Sequence, residues 1–298
     1  MTRSPFVAIL AVIFAMTVPA TAAPSDYTQQ IQAWQAKRLE RLQAPEGWLS
    51  LIGLDWLQAG RNTIGSADGN DIVLKAGPAK LGVAVLDGGG VTLELDPAAE
   101  ATIDGQRVSK AALRDDAQAE PSVVRFGTAS FIVIKRGDRY ALRVRDSEAP
   151  TRTHFLGLDR YPIDPSWRIE AQWVAFDPPR TLDIPNIIGT VDAMTVPGKA
   201  VFEREGRSYE LLPVIESPDA TQLFFILADR TSGKETYGAA RFLYADVAKD
   251  GVVVLDFNKA YNPPCAFTPY ATCPLAPPEN RLGVAVTAGE KKYRGSDH

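Results

Sequence analysis

The side chains best equipped for chemistry are Tyr237, Arg241, Tyr261, Asn262, Glu279, Asn280 and Arg281, all towards the C-terminal end of the chain. Tyr237 and Arg241 are four apart in a run that reads as a strand, so they point from one face about 13 Å apart. Asp256 and Asn258 share a face in the same way. A Pro-rich loop over 258–281 would carry the remaining residues above that face. Guanidinium donors suit a carboxylate or phosphate, tyrosine rings supply stacking surfaces, and amides fix orientation. The constellation predicts binding of a small or extended anionic or polyhydroxyl ligand. The competing reading is bracing, because Arg, Asn and Asp in irregular chain commonly bond the backbone groups that no ladder pairs.

Hydrolysis has weaker support. No Gly-x-Ser-x-Gly elbow is present, and His154 is the one internal histidine that could serve as a base; beside Phe155 it reads as a packed residue. The carboxylate pairs Asp256 with Glu279 and Asp229 with Glu235 could act as acid and base, which keeps a hydrolase as the alternative. A structural role in the cell envelope is the second alternative. Dinucleotide and nucleotide fingerprints are absent, and Gly88-Gly89-Gly90 reads as a hairpin turn with no helix start behind it. No cofactor and no metal are expected. A formal net charge of −4, with basic residues scattered singly, argues against a nucleic-acid partner.

The elements that must position these residues are mostly strands. Asp256 to Arg281 holds two Pro-Pro pairs, both cysteines and four aromatic residues, a composition that suits neither a helix nor a central strand. Cys265 and Cys273 read as a disulfide closing that loop, with a metal site as the alternative. Asp26 to Gln43 is the one clear helix, with Tyr27, Ile31, Trp34, Arg38 and Leu42 on a single face and Pro45-Glu46-Gly47 as its stop. Beyond it, glycine-bearing breaks separate short Val-, Ile-, Leu- and Phe-rich runs, the rhythm of an antiparallel sandwich. Strands are expected at 70–74, 91–95, 123–126, 131–135 and 140–144, then at 167–176, 200–204, 208–214, 223–227, 237–244, 251–257 and 281–287. The unbroken Val252 to Leu255 predicts burial on both faces of its strand.

Ahead of all this, Arg3, the apolar run Phe6 to Met16 and Ala20-Thr21-Ala22 read as a secretory signal over 1–22, which predicts a periplasmic or secreted protein with no transmembrane segment in its mature chain. The remaining length of about 275 residues favours two domains. Expected boundaries are an N-terminal helix over 23–46, a β-sandwich over 47–149 and a barrel-like β domain over 150–298. The fold class is all-β.

Two resemblances sharpen that outline. Gly60-Arg61, Ile64-Gly65-Ser66, Asn70-Asp71-Ile72, Ile103-Asp104-Gly105-Gln106 and Val124-Arg125-Phe126-Gly127 make the first half similar to a forkhead-associated domain. That resemblance implies a β-sandwich and leaves Arg61 and Ser66 as anion contacts. The phosphothreonine-reading Ser-Arg-x-x-His element of that family is replaced here by Pro78-Ala79-Lys80-Leu81, so phosphopeptide reading is not implied. Residues 34–293 resemble the domain of unknown function 1684 family. The resemblance rests on Gly47-Trp48-Leu49-Ser50-Leu51, Asp229-Arg230-Thr231, Thr236-Tyr237-Gly238 with Arg241-Phe242-Leu243, and Asp256-Phe257-Asn258. It continues in Tyr261-Asn262-Pro263-Pro264-Cys265-Ala266, Cys273-Pro274, Asn280-Arg281-Leu282 and Ala288-Gly289-Glu290-Lys291. It implies no activity, substrate or cofactor.

Overall fold

The computed structural model describes residues 26–295, so the secretory signal read over 1–22 lies outside the described residues. The chain is mostly β, with one long helix at the start. That helix, Asp26–Gln43, buries Ile31, Arg38 and Leu42, three members of the face expected from their spacing. It ends where the chain turns back tightly. The Gly47 amide donates to the Ala44 carbonyl at 2.8 Å. A Cβ at Gly47 would lie 2.6 Å from the Leu42 carbonyl oxygen, so glycine is what lets Trp48 follow the helix so closely.

In the first half, two five-stranded sheets pack face to face. One runs, in spatial order, Leu51–Trp56, Arg139–Asp146, Ala129–Arg136, Val124–Phe126 and Ala101–Ile103; the other runs Ile72–Val73, Gly60–Gly65, Gly82–Asp87, Gly90–Leu95 and Lys110–Leu113. Alternation decides the faces. Tyr140, Leu142 and Val144 join Phe131 and Val133 in the shared core. Ala141, Arg143 and Arg145, with Ile134 and Arg136 on the neighbouring strand, therefore stand on the opposite face, towards the C-terminal half. The two anion contacts implied by the forkhead-associated resemblance are spent locally. Arg61 pairs with Glu94 at 3.1 Å, and the Ser66 hydroxyl donates to the Gly77 carbonyl at 2.9 Å.

The second half holds a four-stranded antiparallel sheet in the order Arg207–Leu211, Val191–Arg204, Arg168–Pro185 and Val252–Asp256, beside the pair Gln222–Leu227 and Arg241–Asp246. Together they form a half-barrel. The run Leu223-Phe224-Phe225-Ile226-Leu227 is buried on both faces. Leu223, Phe225 and Leu227 enter one core with Leu243 and Leu255, while Phe224 and Ile226 enter another with Phe242 and Tyr237.

Three expectations are corrected. Tyr237 precedes the strand that begins at Arg241, so the two do not share a strand face. Residues 281–287 form no ladder. They run extended with Leu282, Val284 and Val286 buried, and pair with the chain at Ala228 and Arg230 through single hydrogen bonds. The strand Val252–Asp256 is not buried on both faces: it lies at the sheet edge, with Val252 39% exposed and Val254 half-buried against open space.

The Pro-rich segment 258–281 is neither helix nor central strand. Two short turns, Pro264–Ala266 and Pro278–Asn280, each begin at a proline whose missing N–H costs nothing there. Cys265 and Cys273 are bridged, with their Cα atoms 6.1 Å apart. Closing so short a loop stabilises by about 2.5 kcal/mol in a chain-entropy estimate. The tip of the long hairpin holds the loop from outside, where Ile187 donates to the Cys273 carbonyl at 3.0 Å and Leu275 to the Pro185 carbonyl at 2.8 Å.

Candidate functional site

A cleft of about 1480 Å³ opens between the N-terminal helix, the arginine-bearing outer face of the sandwich, and the C-terminal half-barrel. Eight of its lining residues are Arg or Lys and five are Asp or Glu, in a chain whose formal net charge is −4. Positive charge is thus concentrated in this large cleft of an acidic protein.

One wall is aromatic. Phe224 stacks on Tyr244 at 4.8 Å between centroids and meets Phe242 edge-on at 4.9 Å. Tyr261 continues the wall, edge-on to Phe242 at 5.8 Å, and Trp34 from the helix completes it at 6.4 Å from Tyr261. Registry explains the first step, because Phe224 and Tyr244 are direct partners across the two-stranded ladder. The Arg38 guanidinium lies 4.6 Å from the Tyr261 ring centroid, adding a cation to the wall.

The opposite corner is basic. Arg143 is 6% exposed, and no carboxylate of the described residues lies within ion-pair distance of it. It rests over the Trp48 ring at 5.5 Å and donates one long hydrogen bond, 3.4 Å, to the Thr272 hydroxyl. Burial first, and then the neighbouring Arg136, push the Arg143 guanidinium down to about 10. Arg145 is lowered too, again chiefly by burial and against the pull of Glu46. Arg136 is paired with Asp116 at 2.9 Å and also donates to Thr272, at 3.2 Å.

The residues singled out from sequence divide sharply. Tyr261 lines the cleft. Arg241 does not: it is fully buried, pairs with Asp229 at 2.8 Å and donates to the Val286 carbonyl at 3.0 Å. Asn262 is also fully buried, receiving the Glu290 carboxylate on its amide N–H at 2.8 Å and donating its side chain to the Lys291 carbonyl at 2.7 Å. Asn280 clamps Leu212, accepting from its N–H and donating to its carbonyl, both at 2.8 Å. Tyr237 donates to the Cys265 carbonyl at 3.2 Å. Glu279 and Arg281 are exposed outside the cleft lining, and Arg281 donates to the Ala276 carbonyl at 3.2 Å. The bracing reading describes most of this set, since irregular backbone left unpaired by any ladder has been satisfied by side chains.

The carboxylate pairs do not converge either. Asp229 is enclosed, accepting from the Thr231 amide and hydroxyl and from Val286, whereas Glu235 is on the surface. Asp256 accepts the Tyr27 hydroxyl at 2.8 Å and caps the turn at Asn258, while Glu279 is exposed. His154 is exposed at the end of the short helix Pro150–Thr153 rather than packed, because the chain turns outward there before Phe155 re-enters the core. No described helix is long and apolar enough to cross a membrane.

Residues 153–291 match the model of the family described as Protein of unknown function (DUF1684). The solution NMR structure of an uncharacterized protein of Haloarcula marismortui is also similar, at 30% identity over 49% of this chain and 81% of that one, with a TM-score of 0.41. No curated protein matches the chain. Within the DUF1684 segment, Asp229, Arg241, Asn262, Asn280 and Glu290 are all buried and engaged, so much of the signature records how this half is braced. Trp48 and the three arginines of the basic corner lie outside the matched segment.

Two of those arginines carry a signal in the sequence, because in the strand run Arg143-Val144-Arg145 alternation puts both on one face; Arg136 reaches the same face from the neighbouring strand.

The aromatic wall carries a testable titration. Burial, then Tyr261 and Glu216, raise the Tyr244 phenol, whose hydroxyl donates to Glu216 at 2.7 Å. Burial likewise pushes Tyr261 up to about 12, against the pull of Arg38. Unfolded tyrosines ionise near pH 10, so above about pH 10 the folded state holds more protons than the unfolded one. The contribution is fully present below pH 10 and is lost as pH rises towards about 12. The melting temperature of the wild type should therefore fall more steeply between about pH 10 and 12 than that of Tyr244→Phe. Equal slopes would show that Tyr244 ionises freely in the fold.

Proposed function

We propose that the protein binds an amphiphilic anion in the cleft, with the apolar part of the ligand along Trp34, Phe224, Phe242, Tyr244 and Tyr261. The observation that carries this reading is the joining of an aromatic wall and an excess of positive lining in one concavity of about 1480 Å³. Ligand sites have this character: mostly apolar walls with a few placed polar groups. A polyhydroxyl ligand fits less well, because the amides that would read hydroxyls, Asn262 and Asn280, are committed to the backbone of Lys291 and Leu212. Of the two carboxylate pairs that would serve a hydrolase, each includes a member, Glu235 or Glu279, that is exposed outside the cleft lining. On the reading of 1–22 as a secretory signal, the ligand is met in the periplasm or outside the cell, and a division near residue 150 puts the cleft between two domains.

Trp34 and Trp48 both line the cleft and serve as reporters. Titration with dodecanoate below its micelle concentration should give a saturable change in tryptophan emission and a raised melting temperature, with binding at least about tenfold weaker in Tyr244→Ala. A purely structural envelope protein would show neither change. Absence of both with dodecanoate and its longer homologues overturns the proposal.

A further inference from the structure

Resting on the cleft reading, we infer that Arg143, Arg145 and Thr272 form a head-group subsite for a single oxyanion, a carboxylate or a phosphate monoester. A buried cation is normally met by a carboxylate or by several acceptors. Arg143 has neither: its one acceptor is Thr272 at 3.4 Å, and its Nε is buried with no hydrogen-bond acceptor. The Nε of Arg145 is in the same condition.

The neighbouring acids do not remove this excess. Asp116 is held by Arg136 through two contacts, at 2.9 and 3.1 Å. Glu46, the acid facing Arg145, is bonded to Arg125 on the outer side. Arg143 and Arg145 both line the cleft, each with a buried Nε that has no acceptor, and guanidinium forks match the paired oxygens of a carboxylate or phosphate.

Thr272 supplies the third element. Its hydroxyl oxygen accepts from Arg136 and from Arg143, at 3.2 and 3.4 Å. A hydroxyl has two acceptor lone pairs and one donor, so its proton remains to be given to an anion. The bridge between Cys265 and Cys273 holds this residue in place, one position before the second cysteine. Trp48 underlies Arg143, its ring centroid 5.5 Å from the guanidinium, and lines the same cleft.

The experiment compares dodecanoate, dodecyl phosphate and dodecanol, which share one tail and differ in the head, by tryptophan emission with the full chain. Wild-type protein should bind one or both anions at least about tenfold more tightly than the alcohol. Arg143→Met should bring the anions to the level of the alcohol while leaving the alcohol unchanged, and its melting temperature without ligand should equal or exceed the wild-type value. Thr272→Val, which keeps both charges, should give a smaller loss in the same direction and covers the case of a misfolded Arg143 variant. The preferred anion identifies the head. Equal binding of acid, phosphate and alcohol by the wild type would overturn the subsite while leaving the apolar cleft standing; no binding of any of the three would sink the cleft reading and this inference with it.

Discussion

Replacing Arg241 by leucine should destabilise the protein by about 3–5 kcal/mol, the usual cost of leaving one member of a buried ion pair alone. Arg241 and Asp229 both have fully buried side chains, 2.8 Å apart. The guanidinium also satisfies the carbonyls of Val286 and Ala288, which belong to the extended 281–287 run and its continuation. Its loss would leave the Asp229 carboxylate and those carbonyls buried without their donor. Lysine would not rescue fully, because its three donors radiate from one nitrogen, whereas the acceptors of Arg241 are divided between two guanidinium nitrogens. Urea denaturation measures the change. Arg241 does not line the cleft, so binding per folded molecule should be unchanged. A loss below about 1 kcal/mol would show that desolvation already cancels the pair.

The second large effect is expected at Glu290. Its carboxylate is fully buried and faces Arg38 at 3.3 Å and Arg160 at 3.9 Å, while its other oxygen accepts the Asn262 amide at 2.8 Å. The preceding Gly289 has φ +79°, and a Cβ there would lie 2.4 Å from the Ala260 carbonyl oxygen, so backbone geometry forces this turn to place the acid where it sits. Glu290→Gln keeps an acceptor for Asn262 and removes the charge. It should cost about 3 kcal/mol, because Arg38 is then a buried cation left with the Asn262 carbonyl, at 3.0 Å, and the Tyr261 and Phe267 rings, and no carboxylate. Arg38 ties the N-terminal helix to the half-barrel, so the same variant should speed hydrogen exchange along residues 31–42 and weaken ligand binding in the cleft. Adding Arg38→Met to Glu290→Gln should recover part of the stability. If exchange in the helix is unaffected, the helix is held by Ile31, Leu42 and the Tyr27 contact to Asp256 without help from the ion pair.

Much of the framework was legible along the chain because it rests on local rules. The helix face, the strand runs around 131–144 and 223–227, and the closely spaced cysteines each depend on periodicity or on contacts within a few residues. Strand limits were less legible. At 237–244 a Gly-Ala-Ala turn delays the ladder to Arg241, and at 281–287 alternating burial imitates a strand although only an isolated bridge and single hydrogen bonds to Ala228 and Arg230 pair it.

The candidate site was legible only in part, since Tyr261 lines the cleft whereas Arg241, Asn262 and Asn280 do not. A sequence shows which residue types can bind or brace, and this one shows a Pro-rich loop that needs bracing. Whether a given Arg or Asn faces ligand or backbone depends on which unpaired carbonyls surround it after folding. Those carbonyls come from distant segments, 68 positions away for Asn280 and Leu212 and 224 for Arg38 and Asn262. The composition and periodicity of the chain determined its β-rich class, its helix and its stapled loop. Only the tertiary structure decided that Arg143 and Arg145 meet Thr272 and the aromatic wall across one cleft, because cleft walls are set by packing between elements that no local rule relates.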